Sequence, residues 1–200
     1  LEGYHVPAGH PGLHRLFGNN YRVELAGNGV ARQVSWLKDE LSSNWSERHY
    51  QKLLPEAEHL PPELRRSWNY YSLFPNVAFD IYPDQIEFFQ VIPTGPGESF
   101  VQGRCYGLAD ERREMRAARY LNRRINIQVY VEDKELTQGV QAGLESESYD
   151  VGLLSEKELC VQQFHDDVRR ALPVARLRKA PEPGGVAARN EKMREMDSAA

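Results

Sequence analysis

Trp68-Asn69-Tyr70-Tyr71-Ser72-Leu73-Phe74, Val77-Ala78-Phe79-Asp80-Ile81-Tyr82, Ile86-Glu87-Phe88-Phe89-Gln90-Val91-Ile92-Pro93 and Ser99-Phe100-Val101-Gln102-Gly103-Arg104-Cys105-Tyr106-Gly107 decide the fold. Each segment is rich in aromatic and β-branched residues, which suit a pleated, half-buried surface. Pro-Asp and Gly-Pro-Gly breaks separate them at short intervals. The pattern predicts an antiparallel meander.

Outward from the meander the signal changes on both sides. Downstream, residues 110–122 are charged and rich in Arg, Glu, Met and Ala, all good helix formers. Ile125, Val129, Leu136, Val140 and Leu144 continue an apolar stripe at helical spacing. Ser155-Glu156-Lys157-Glu158 reads as a capping box opening a last helix, with Leu159, Phe164, Val168 and Leu172 as its buried face. Upstream, Tyr21-Arg22-Val23-Glu24-Leu25 and Val30-Ala31-Arg32-Gln33-Val34 flank Gly27-Asn28-Gly29, which predicts two short strands around a turn. Residues 38–66 are polar and broken by Pro55, Pro61 and Pro62, a surface excursion with short helical pieces. Strands segregated from helices predict an α+β fold with an antiparallel sheet packed on helix.

The 200 residues are 40% apolar and 27% charged, enough for one domain with a real core. A net charge of −4 argues against non-specific nucleic-acid binding, which needs a basic surface. No apolar run approaches the roughly 18 residues of a spanning helix, so no membrane partner is expected. Cys105 and Cys160 are isolated, which excludes a disulfide scaffold and points to a reducing cytoplasm. The chain begins at Leu1 rather than Met, and a preceding segment is expected. Residues 173–200 are polar, with Pro181, Pro183, Gly184 and Gly185, and read as a disordered tail.

The chemistry-bearing feature is His5 and His10, spaced H-x4-H. On a regular helix five residues turn by about 140° and the rings would diverge. Pro7, Gly9 and Pro11 predict an irregular turn or broken helix instead, which brings them together. A metal site requires a third ligand. Asp133 and its neighbour Glu132 are both candidates, and spacing alone does not choose between them.

Leu1-Glu2-Gly3-Tyr4-His5-Val6-Pro7-Ala8-Gly9-His10-Pro11-Gly12-Leu13 resembles the iron-binding segment of Rieske non-haem iron oxygenase α subunits, the aromatic-ring-hydroxylating family. Val131-Glu132-Asp133-Lys134-Glu135-Leu136, leading into Val140-Gln141-Ala142-Gly143-Leu144, resembles the stretch carrying that family's third ligand. Ser155-Glu156-Lys157 and Phe164-His165 are similar to its closing helix. The resemblance covers residues 1–172 and implies a helix-grip (START/SRPBCC-like) catalytic domain, a sheet wrapped around a long C-terminal helix. It also implies Fe(II) held by His5, His10 and Asp133, the two-His-one-carboxylate set of non-haem iron oxygenases. Glu2, three residues before His5, matches the acid that links the mononuclear site to a Rieske-cluster histidine of the adjacent subunit. Electrons from NAD(P)H would arrive through a reductase or ferredoxin and a [2Fe–2S] cluster. The product with O2 would be a hydroxylated ring, or a hydroxylated carbon beside nitrogen or oxygen, as in oxidative demethylation.

The family's C-x-H and C-x2-H cluster pairs are absent from these residues, which implies a Rieske domain ahead of Leu1. The resemblance also implies a homotrimer, since the family's electron path crosses between subunits. His14, His49, His59 and His165 fall outside the motif and are read as non-ligands. The aromatic residues of the meander are read mainly as core, with some lining a cavity. An aromatic substrate or a quaternary-ammonium cation held by cation–π contacts are both open. The reading of a different class is a non-catalytic helix-grip module that binds a ligand without iron.

Overall fold

A computed structural model describes residues 5–179 and 181–199. The described chain opens with two short helices, α1 (His5–Gly9) and α2 (Pro11–Phe17). Strands β1 (Tyr21–Gly27) and β2 (Val30–Trp36) follow. Their connection is Asn28-Gly29, with φ of 51° and 75°, the positive values that a two-residue hairpin turn of matching twist requires. Helix α3 (Trp45–Leu53) and a 3-10 turn at Pro62–Leu64 make up the surface excursion. Asn44 caps α3, its Oδ1 accepting from the backbone N–H of Ser46 and Glu47 at 2.9 and 3.3 Å.

Four further strands complete the sheet: β3 (Ser67–Leu73), β4 (Val77–Ile81), β5 (Ile86–Gly95) and β6 (Glu98–Tyr106). The sheet order is β1-β2-β3-β4-β5-β6, every pair antiparallel, so the meander runs without a crossover. Register places Gln33 opposite Tyr70, Tyr70 opposite Asp80, Asp80 opposite Glu87 and Glu87 opposite Cys105. One row across the sheet is therefore polar.

Helix α4 (Arg113–Leu144) is a single 32-residue helix, joining the charged segment and the apolar stripe read separately from the sequence. Ala118, Leu121 and Ile125 on it meet Leu13, Leu16, Phe17, Tyr50, Trp68 and Tyr82 in one core. Trp68 is fully buried, with edge-on contacts to Phe17, Tyr50 and Tyr82 at 5.2, 5.6 and 4.6 Å. Its Nε1 donates to the Tyr50 hydroxyl at 3.0 Å, and that hydroxyl donates to Asp84 at 2.7 Å. Asn122 donates to Asp84 and accepts from Gln85 and Asn126. Asn126 reaches the Tyr82 hydroxyl, which donates to Asp80 at 3.1 Å. Buried polar groups must be paired, so this chain of bonds fixes the rotation of α4 against the sheet. The antiparallel sheet gripping a long helix is the α+β helix-grip arrangement expected.

The grip is partial. At about 1.5 Å per residue α4 is about 48 Å long, whereas six strands about 4.8 Å apart span about 24 Å. Leu136, Val140 and Leu144 extend the apolar stripe beyond the sheet and are exposed. The last long helix of the expected domain is α5 (Leu159–Ala171). It starts one residue after the predicted box: Glu158 accepts from the Ser155 N–H at 2.7 Å, closing a turn ahead of the helix. Its expected buried face is also corrected. Leu159, Phe164 and Leu172 are exposed, because α5 lies across the end of the hairpins; Phe164 still reaches the Phe74 ring, 5.7 Å between centroids. Residues 173–200, read as a disordered tail, carry a 3-10 turn at Pro173–Arg176 and helix α6 (Val186–Ser198). Ala, Arg, Glu and Met after Gly184-Gly185 are good helix formers. Asn190 accepts from the Val174 N–H, and Arg176 pairs with Asp197 at 2.6 Å. No helix among the described residues is long and apolar enough to cross a membrane.

Candidate metal centre

Pro11 supplies no N–H and disfavours αR at the residue before it. His10 accordingly sits at φ −125° and ψ 78°, between α1 and α2. The break swings its ring round to meet His5, which a regular helix could not do. Helix α1 lies directly on α4: a Cβ built on Gly9 would come within 2.8 Å of Leu136 Cδ1. That approach carries the two histidines to Asp133, more than 120 residues away in sequence.

His5 Nε2, His10 Nε2 and Asp133 Oδ1 form a near-equilateral triangle. The nitrogens are 2.8 Å apart, and each is 3.1 Å from the carboxylate oxygen. His10 is fully buried, while His5 and Asp133 are partly open. Ligands at right angles about 2.1 Å from a common ion lie about 3.0 Å apart. Three donors at these separations fit one face of an octahedron, leaving the opposite face for other molecules. His5, His10 and Asp133 are the group among the described residues whose ligand atoms converge in this way.

Behind His10 stands Glu132. Its Oε2 accepts from His10 Nδ1 at 2.9 Å, and its Oε1 accepts from Gln128 Nε2 at 3.0 Å. A carboxylate accepts only, so Nδ1 carries a hydrogen, and Nε2 is the nitrogen that would present a lone pair to a metal in the triangle. Neighbouring residues on α4 thus point two carboxylates at opposite ends of one imidazole. Burial opposes charge on Asp133, but hydrogen bonds from His10 and His5 outweigh it and hold the carboxyl well below the usual carboxylate range. Burial likewise lowers the His10 pKa, and its bonds to Asp133 and Glu132 more than reverse that.

A chamber of about 200 Å³ between sheet and α4 reaches the Asp133 corner of the triangle, with Gln33, Tyr70, Asp80, Phe89, Tyr130 and Asp133 among its lining residues. Beside it runs a wider groove of about 1150 Å³ between β5, β6 and α4, shared at Phe89, Asn126, Tyr130 and Asp133. Gln33, Tyr70 and Asp80 of the polar row therefore belong to the chamber wall, while Glu87 and Cys105 line the groove. Sequence reading did not single out Gln33, Asp80 or Glu87, which look like ordinary outward residues of alternating strands; only the register puts them inside.

The other histidines stay apart from the cluster. His49 Nδ1 bonds to the Trp45 carbonyl, and His59 lines a separate surface cavity. Glu2 lies outside the described residues.

Residues 1–173 match the family profile described as ring hydroxylating alpha subunit (catalytic domain). The chain belongs to this family. No curated protein sequence matches it. Among solved structures, it is similar to a quaternary ammonium Rieske monooxygenase described for carnitine oxidation by gut microbiota and inter-subunit electron transfer, at 15% identity and a TM-score of 0.50. It is similar also to the quaternary ammonium Rieske monooxygenase CntA in complex with an inhibitor, at 16% identity and a TM-score of 0.50. Both likenesses cover 74% of this chain and 36% of the other, and at such identity they speak to the fold.

Proposed function

We propose that this chain is the catalytic part of a Rieske-type oxygenase in which His5 Nε2, His10 Nε2 and Asp133 Oδ1 hold mononuclear Fe(II). The observation that carries the reading is their triangle of 2.8 to 3.1 Å in a ring-hydroxylating α-subunit domain. Bound there, Fe(II) would supply dioxygen activation for hydroxylating an aromatic ring or a carbon next to nitrogen or oxygen.

The protein's own contribution is positional. Glu132 selects the His10 tautomer and holds its ring. The core behind α2 keeps His10 dry, and the chamber wall orients a small substrate against Asp133 while limiting water. Electrons would come from NAD(P)H through a reductase or ferredoxin and a [2Fe–2S] cluster carried on another part of the protein. Glu2, three residues before His5, is the proposed bridge to the adjacent subunit of a trimer, and a cytoplasmic setting suits the free Cys105.

Anaerobic reconstitution followed by metal analysis tests the reading. One Fe(II) per chain is expected, and its loss in His5→Ala and Asp133→Ala with unchanged circular dichroism. A non-catalytic binding module predicts no stoichiometric iron in any of the three.

A further inference from the structure

The chamber wall contains a set of polar groups that the iron site does not use. Asp80 is half-buried on β4, with the Tyr82 hydroxyl as its donor and no cationic partner among the described residues. Tyr70, its neighbour across β3, has a buried hydroxyl with no hydrogen-bond partner. Gln33, next in the row on β2, is only 4% exposed, and neither its Oε1 nor its Nε2 is paired. Native proteins rarely leave such atoms unmet, and each unmet group costs about 1–3 kcal/mol. Three adjacent strands present them in one line, beside Asp133 and below Tyr130 and Phe89.

We propose that this row binds the head of a small protonated amine, placing the substrate carbon next to nitrogen beside the metal triangle. A primary ammonium has three N–H donors and no acceptor. The row offers three acceptors: the Asp80 carboxylate, the Tyr70 hydroxyl oxygen and Gln33 Oε1. A trimethylammonium group has no N–H to give and leaves all three unmet, so the chamber discriminates against it even though aromatic rings line the space. Burial also pushes the Asp80 carboxyl up to about 7, as expected of a desolvated acid awaiting a cation or a proton. At about 200 Å³ the chamber is below the about 300 Å³ at which drug-sized pockets begin, which limits the ligand to a single ring or short chain.

The proposal rests on reading the space beside His5, His10 and Asp133 as the substrate site, and its test separates the two. Benzylamine, benzyl alcohol and benzyltrimethylammonium are titrated calorimetrically into the full chain, iron-free and anaerobically loaded. Benzylamine is expected to bind at least about tenfold tighter than either analogue, the strength of hydrogen bonds to a charged group. Asp80→Asn should erase that preference, and Tyr70→Phe should reduce it, the second variant deciding if the first does not fold. Equal binding of the alcohol, or tighter binding of the trimethyl compound, overturns the proposal. So does absence of amine binding in a chain that holds one Fe(II). Amine binding by a chain that takes no iron overturns the iron reading alone.

Discussion

His10 Nδ1 lies 2.9 Å from Glu132 Oε2, while its Nε2 lies 3.1 Å from Asp133 Oδ1. Adjacent carboxylates therefore have different parts: Asp133 joins the triangle and Glu132 steadies a member of it. Carboxylates that orient a metal-binding histidine are worth about 10- to 100-fold in affinity. Glu132→Gln is expected to weaken Fe(II) binding by that factor while one site per chain survives at saturating metal. Asp133→Ala should abolish the site. Competition with a chelator of known affinity measures both, and the opposite ranking would exchange the two assignments.

That division of labour was not legible in the sequence. Both acids are surface-type residues one position apart, and what separates them is which side of the His10 ring each reaches, a product of the α1–α4 docking. The break at His10 was legible, because Pro11 disfavours the helical conformation at the residue before it by a local steric rule. So were the strands, since alternation and turn residues are local: the expected 77–82 overruns β4 by one residue, and 86–93 falls on β5. The chamber wall was hidden for the converse reason: Gln33, Tyr70 and Asp80 belong to three different strands, and only pairing brings them into line. Exposure of Leu136, Val140 and Leu144 was hidden too, because a helical stripe records amphipathicity but not how far the sheet extends.

Gly9 tests the α1–α4 contact. Its absent Cβ would lie 2.8 Å from Leu136 Cδ1 and 3.5 Å from His5 Cε1. Leu136 is partly exposed and its tip can move, so Gly9→Ala should cost about 1 kcal/mol, at the low end for overpacking. Leu136→Ala in the same chain should recover most of that loss. Urea denaturation of the two single variants and the double variant gives the coupling, and additive effects would mean that the two residues do not touch.

A second anchor holds α2. Arg15 Nε donates to Glu47 Oε2 at 2.9 Å and its Nη2 donates to Oε1, while Ser42 Oγ donates to the same carboxylate. The pair is lopsided: the Glu47 side chain is 5% exposed and that of Arg15 is 39% exposed. Removing Arg15 strands a buried charge, whereas removing Glu47 leaves a guanidinium that water can reach. Arg15→Ala is expected to destabilise by about 3 kcal/mol and Glu47→Ala by less. The double variant should be no worse than Arg15→Ala. Chemical denaturation at neutral pH measures the order, and a larger loss for Glu47→Ala would contradict the burial argument.

Asp80 connects the chamber to the stability of the whole chain. Burial holds its carboxyl at about 7, with Glu87 and Asp133 adding repulsion, whereas an unfolded aspartate titrates at about 3.9. Between those values the folded chain keeps a proton that the unfolded chain has released. Its contribution to stability therefore falls as pH rises from about 4 to about 7, and stays unfavourable above. Asp84, pushed up to about 6 by burial, acts in the same direction over a narrower range. Three units correspond to about 4 kcal/mol at most, so Asp80→Asn should make the chain more stable at pH 7.5 and flatten its decline from pH 5. Saturating benzylamine, charged throughout this range, neutralises the ionised Asp80 and should stabilise the parent chain more at pH 7.5 than at pH 5. Melting scans with and without the amine at both pH values measure the difference. Equal stabilisation at the two would show that the amine does not meet Asp80.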